Sequence, residues 1–224
     1  DARYEKVRQA GSVRDAAILM ASGVKRDGRR SILGISVSLS EAEAHWRAFL
    51  EGLVKRGLCD VQLIVSDDHV GMGAARKAVF TGVPWQRCQF HLQQNAQSYV
   101  PRVGLRREVS EDIRTDFNAP DRETAETYLK KAVDKYADLA PKLADWMEVN
   151  LPEGFTVFAF PRAYQKRLRT SNFLERLSQE IKRRTRIVRV FPNEHSCLRL
   201  VSAILMELSE EWEDGNIYLR IEST

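Results

Sequence analysis

A mixed α/β fold, interrupted by a stretch of helices alone, is what this sequence predicts, and three observations predict it. Between about residues 12 and 90, short apolar runs rich in β-branched residues alternate with segments of helical period. From about Pro101 to Phe160 only the helical period remains. From Thr170 onward two further amphipathic stretches complete a chain of 224 residues, enough to bury a substantial core. The expected organisation is a first part of a sheet domain at residues 1–100, a helical insertion at 101–160 and the remainder of the sheet domain at 161–224.

Each element has its own signal. Ser12 to Val24 and Ser31 to Leu39 are apolar runs on either side of Arg26-Asp27-Gly28-Arg29, which reads as a β-hairpin turning at Asp-Gly. Ser40 with Glu43 forms a capping-box pattern, followed by Trp46, Phe49, Leu50 and Leu53 at helical spacing up to Gly57. Val61 to Ser66 is the short apolar run of a buried strand, ending at Asp67-Asp68-His69. A helix over Met72 to Phe80 and a strand over Trp85 to Phe90 follow, so the expected order is β-β-α-β-α-β. In the insertion, Leu105, Val109, Ile113 and Phe117 recur every fourth residue. Ala125, Tyr128, Leu129, Ala132 and Tyr136 form a second set, and Leu139, Leu143, Trp146 and Met147 a third. The last two helices are expected over Thr170 to Arg184 and His195 to Trp212.

Composition narrows the function. Hydrophobic residues at 43% and charged residues at 29%, without low-complexity tracts, exclude a disordered tail and a disulfide-dense miniprotein. No apolar run of about 18 residues and no signal-peptide layout appear, so the expectation is a cytoplasmic protein without a membrane partner. The odd, widely spaced Cys59, Cys88 and Cys197 suit reduced thiols. The net charge of +4 is unevenly divided. Arg162 to Arg189 holds ten Lys/Arg against Glu175 and Glu180, or +8, whereas Gly104 to Phe160 holds eight against twelve, or −4. A basic stripe of this kind neutralises phosphates, as on a nucleic acid, or is simply a solvated helix face; charge alone does not separate the two.

Three features bear on chemistry. At 100° per residue, Phe173, Leu174, Leu177 and Ile181 form one stripe of a helix, while Glu175, Gln179, Lys182 and Arg186 share the opposite side. A glutamate on a basic face is commonly a surface ion pair. Asp67 stands at the C-terminal end of a buried strand, where open α/β sheets build their sites, although Asp67 or Asp68 could equally cap the next helix. Carboxylates from separate elements can hold two hard cations for phosphoryl transfer. Cys88-x-x-His91 is a possible zinc half-site, but neither His69, His45 nor the other cysteines offer a second pair, and Trp85 and Phe90 around it suggest core packing. Gly71 and Gly73 form no phosphate-loop string, so nucleotide-cofactor readings lose support.

Four ordered stretches then acquire a common meaning. Asp1-Ala-Arg-Tyr-Glu-Lys-Val-Arg8, Ser66-Asp67-Asp68-His69-Val-Gly71, Trp85-Gln-Arg-Cys88-Gln-Phe-His91 with Asn95, and Thr170-Ser-Asn172-Phe-Leu-Glu175-Arg176 through Lys182-Arg-Arg-Thr-Arg to Phe191-Pro-Asn193 resemble, over nearly the whole chain, the catalytic domain of bacterial insertion-sequence transposases of the Mutator-like superfamily. The resemblance implies a ribonuclease-H-like fold, with a mixed sheet flanked by helices and a helical insertion before the last acidic residue. It implies an Asp-Asp-Glu triad in which Asp1, Asp67 and Glu175 are catalytic and bind two Mg²⁺ ions, replaceable by Mn²⁺. Asp67 is favoured over Asp68 because it directly follows the strand-ending serine. His69, Cys88, His91 and Asn172 take supporting or structural roles, with Asn172 and Arg176 flanking Glu175 to position substrate. Met72 stands where leucine is usual.

The implied reaction is hydrolysis at a transposon end followed by attack of the freed 3′-hydroxyl on target DNA, by an oligomer that is at least a dimer on DNA. Arg176, Lys182, Arg183, Arg184 and Arg186 are the expected DNA contacts. The resemblance also puts the end-recognition domain, and the strand carrying Asp1, upstream of position 1. Two other functions compete: a DNA-binding or assembly domain with this fold and no catalysis, and a ribonuclease-H-like nuclease acting on other nucleic acid.

Overall fold

Two small sheets flanked by helices make up a mixed α/β structure, in a computed structural model that describes residues 2–215 and 217–221. The first sheet is antiparallel, in the order β1 (Ala2–Gln9), β2 (Ser12–Val24), β3 (Arg30–Ser38). The Asp-Gly hairpin between β2 and β3 is as expected. The strand β1 is an addition to the expected order, and pairs with β2 from Ala2↔Leu19 to Gln9↔Ser12. A two-residue turn makes this possible. Ala10 and Gly11 both take positive φ, 45° and 81°, the backbone that suits the right-handed twist of adjoining strands.

The helix α1 (Glu43–Lys55) buries the Trp46, Phe49, Leu50, Leu53 stripe that the spacing predicts. Its capping box does not form. Ala42 occupies the cap position without a side-chain bond, and Glu43 reaches forward to Arg47 at 2.5 Å instead of back. Next come β4 (Ile64–Ser66) and α2 (Val70–Val79), the strand half as long as expected because only its last three residues find a partner. That partner is β5 (Trp85–Arg87), parallel to it. The expected strand over Trp85 to Phe90 stops at Arg87, since Cys88 turns the chain into α3 (Gln89–Ala96), and Phe90 and His91 are therefore helical.

Helices continue through α4 (Arg106–Phe117), α5 (Arg122–Tyr136) and α6 (Pro141–Asn150), then α7 (Arg162–Leu168), α8 (Asn172–Thr185) and α9 (Glu194–Asp214). Asp121 and Asn193 cap α5 and α9, each accepting a backbone N–H at 2.8 Å. No helix among the described residues is long and apolar enough to cross a membrane.

The chain separates into two compact units. The first comprises Asp1–Val61, Asp68–Gly82 and Asn172–Thr224; the second comprises Gln62–Asp67 and Val83–Ser171. Each has its own core. In the first, Ala16, Ile18 and Met20 of β2 meet Leu174, Leu177 and Ile181 of α8 and Val201, Ile204 and Leu205 of α9. A parallel bridge between Val7 and Phe191 closes this unit, with Arg8 N donating to Phe191 O and Phe191 N to Lys6 O, both at 2.8 Å. In the second, α3 to α6 enclose Leu92, Ile113, Tyr136, Leu143, Met147 and Phe155. The Gln86 amide, fully buried, ties β5 to the turns beyond α6 by donating to Gly154 O and accepting from Val157 N.

Candidate functional site

The Ser66-Asp67-Asp68-His69 segment is fixed from its serine. Ser66 is 3% exposed; its Oγ accepts from Trp85 Nε1 at 2.9 Å and donates to Asp67 O at 2.7 Å, while its carbonyl accepts from Cys88 N at 2.8 Å. Asp67 is thereby held at the end of β4, partly exposed, and its carboxylate makes no ion pair among the described residues. Neither aspartate takes the cap position of α2, which falls to His69.

His69 has a neighbour the sequence did not reveal. Its Nδ1 lies 3.8 Å from Glu41 Oε2, and the Glu41 side chain is only 13% exposed. The Tyr4 hydroxyl also bonds Glu41; burial, reinforced by this carboxylate, pushes the Tyr4 phenol above its ordinary value. Gly71 has a packing role here. A β-carbon on it would run into the carbonyl oxygen of Glu41 and lie 2.9 Å from Glu43 N, so the glycine lets the start of α2 approach the start of α1.

Cys88 and His91 form a second cluster. Cys88 is fully buried at the cap of α3, and its Sγ accepts from Ser171 N at 3.4 Å. Burial alone would raise this thiol, but hydrogen bonds from His91 and from the Ser171 backbone hold it below its ordinary value. Gln89 N also donates to Arg169 O at 3.0 Å. The Ser66, Cys88-x-x-His91 and Arg169 to Ser171 segments, far apart in sequence, thus meet within the second unit.

Glu175 is partly exposed on the first turn of α8, in the first unit, and Asn172 at the start of the helix is exposed. The basic side chains of this helix and of the turn that follows it divide into two sets. Arg183 and Arg184 each bond Glu180 at 2.7 Å, and Arg184 also reaches Glu207 of α9 at 2.5 Å. The two arginines pull the Glu180 carboxyl down to about 2. Arg176, Lys182 and Arg186 are exposed and make no ion pair among the described residues. Sequence reasoning missed Glu207, which lies 23 residues beyond Arg184 and had no periodic relation to it.

Asp1 lies outside the described residues, and Asp67 and Glu175 belong to different units. Among the described residues, no three His, Cys, Asp or Glu side chains gather as a metal site.

The sequence profile described as "Transposase, Mutator family" matches residues 1–215. The chain belongs to the Mutator family of transposases. Within it, the transposase for insertion sequence element IS406 of Burkholderia multivorans is 54% identical over 219 residues, 98% of this chain and 56% of that protein. The transposase for ISRM5 of Rhizobium meliloti is 41% identical over 99% of this chain and 56% of its own. The transposase for IS256 in transposon Tn4001 of Staphylococcus aureus is 36% identical over 95% and 54% respectively. This Mutator-family chain therefore spans a little over half the length of the relatives it matches.

Proposed function

We propose that this chain is the catalytic part of an insertion-sequence transposase, a ribonuclease-H-like domain that cuts DNA at the transposon end and joins the freed 3′-hydroxyl to target DNA. Membership of the Mutator family across residues 1–215 carries this reading. Asp1, Asp67 and Glu175 are its three carboxylates. The donor set suits Mg²⁺, or Mn²⁺ in its place: Asp67 and Glu175 offer hard oxygen ligands, both are partly withdrawn from solvent, and Asp67 makes no ion pair among the described residues. Bound divalent ions would supply an activated water or 3′-hydroxyl and neutralise charge on the phosphodiester.

The remaining residues act by holding and orienting. Ser66 fixes the backbone at Asp67, Glu41 restrains His69, and the buried Cys88 anchors the approach to α8 through Ser171. Arg176, Lys182 and Arg186 are exposed to neutralise phosphates, with Asn172 one turn before Arg176 at the start of the helix. Two transposon ends are brought together by an oligomer, at least a dimer.

The test uses the full-length protein. Asp67→Ala and Glu175→Ala should each lower strand cleavage by roughly 10²–10³-fold or more while DNA binding persists, the scale of removing a group that stabilises transition-state charge. Undiminished cleavage would sink the assignment. DNA that is cut but never joined would identify a nuclease instead.

A further inference from the structure

Ile187 is 89% exposed, the most exposed large apolar side chain among the described residues, and Val188 beside it is 36% exposed. A lone surface isoleucine is ordinary; its setting here is not. The segment Arg186-Ile187-Val188-Arg189 forms the turn that leaves α8, and both of its ends are fixed. At one end the buried Thr185 donates its hydroxyl to Glu5 Oε1 at 2.9 Å. At the other, the buried Phe191 bridges to β1. Between them, Arg186 N donates to Lys182 O at 3.0 Å and Val188 N to Thr185 O at 2.9 Å. Arg189 is held at φ 57°, a left-handed backbone that a non-glycine residue keeps only where its surroundings impose it.

Charge states what such a projection would meet. Arg186 and Arg189 are exposed, bracket the two apolar residues, and make no ion pair among the described residues; Lys182 and Arg176 extend the same open positive charge back along α8. Val70, nearly as exposed at 87%, follows Asp67 and Asp68 and so has no such setting. An apolar side chain entering a base step from the minor groove is how proteins unstack and kink duplex DNA, with arginines contacting the groove on either side of it.

We propose that residues 186–189 are a DNA-deforming wedge, with Ile187 entering a base step and Arg186 and Arg189 holding the flanking minor groove. This rests on the transposase reading above and adds a position to it. From Glu175 to Thr185 the helix rises about 15 Å at ~1.5 Å per residue. Laid along the duplex axis that rise spans about 4–5 base steps at ~3.4 Å each, so the distorted step should lie within about 5 steps of the phosphate that Glu175 serves.

The test measures 2-aminopurine fluorescence in a short duplex carrying the transposon end, tiled with the probe, on binding the full-length protein. The parent should brighten one step within about 5 positions of the cut. Ile187→Ser should abolish that signal while changing DNA affinity less than about 3-fold and leaving its salt dependence intact; Ile187→Met should restore it. Arg186→Ala should flatten the salt dependence by about one phosphate contact. Because Ile187 is exposed, none of these changes threatens the fold. Unchanged fluorescence in Ile187→Ser overturns the wedge, as does loss of the oligomer in that variant with the DNA signal retained, which would make the turn a protein interface. Binding and cleavage by the parent without any unstacking defeats the wedge alone, whereas a parent that neither binds nor cuts the duplex defeats the transposase reading as well.

Discussion

The Asp116 carboxyl lies between α4 and α5, 1% exposed, on the wall of a cavity of about 170 Å³ shared with Asp112, Thr115, Tyr128, Lys131 and Lys135. Burial, with the Asp112 charge one turn away, pushes it up to about 7, while Lys135 is held by Asp112 at 2.6 Å and Glu108 at 2.8 Å. A carboxyl whose folded value is raised keeps its proton after the unfolded chain has lost it. Its contribution is therefore complete below about pH 4, declines as pH rises and is gone above about pH 7, a loss of up to about 4 kcal/mol. Asp116→Asn should remove this dependence and stabilise the second unit above pH 7, read as urea midpoints across pH 4 to 8; a parent midpoint that does not fall over that range would contradict it. Partners of this kind were hidden in the sequence. Glu41, Glu207 and the Asp112–Asp116 pair carry no signature beyond being acidic, because what distinguishes them is which distant segment folds against them. Asp67 was legible for the opposite reason: an acid following a short apolar run marks the end of a strand from local order alone.

Stripes of apolar residues made α1 and α8 readable, since Trp46, Phe49, Leu50 and Leu53, like Leu174, Leu177 and Ile181, repeat with the helix and are the residues each buries. The strand β1 escaped notice because Arg3, Glu5, Lys6 and Arg8 leave only Val7 fully buried, and a charged strand lacks the apolar alternation that announces one. Its available signal was the Ala10-Gly11 turn. Close approach between elements is equally silent in sequence, and Gly71 is the instance that can be measured. Gly71→Ala would favour helix intrinsically, yet here it must push α2 away from the backbone at Glu41 to Glu43. A net loss of about 1–3 kcal/mol is expected in denaturant unfolding. An alanine variant as stable as the parent would show that the two helices can separate freely.

The route of the chain through its two units was beyond the reach of composition or periodicity, which see neighbours and not returns. It leaves the first unit after Val61, comes back at Asp68, departs again after Gly82 and returns at Asn172. A ribosome delivers residues in one direction only. By the time Ser171 has emerged, every residue of the second unit is available, and its helices meet over short separations that favour rapid folding. The first sheet must wait, because Ile18 and Met20 are covered by Leu177 of α8 and Val201 of α9, which are synthesised last. Nascent chains halted shortly after Ser171 has cleared the exit tunnel should thus resist protease across residues 83–171 while residues 1–61 are still cut, and the reverse pattern would refute this order. Until then the apolar strand β2 is without its cover, so the interval between the two events is when this protein is most exposed to aggregation and to chaperones.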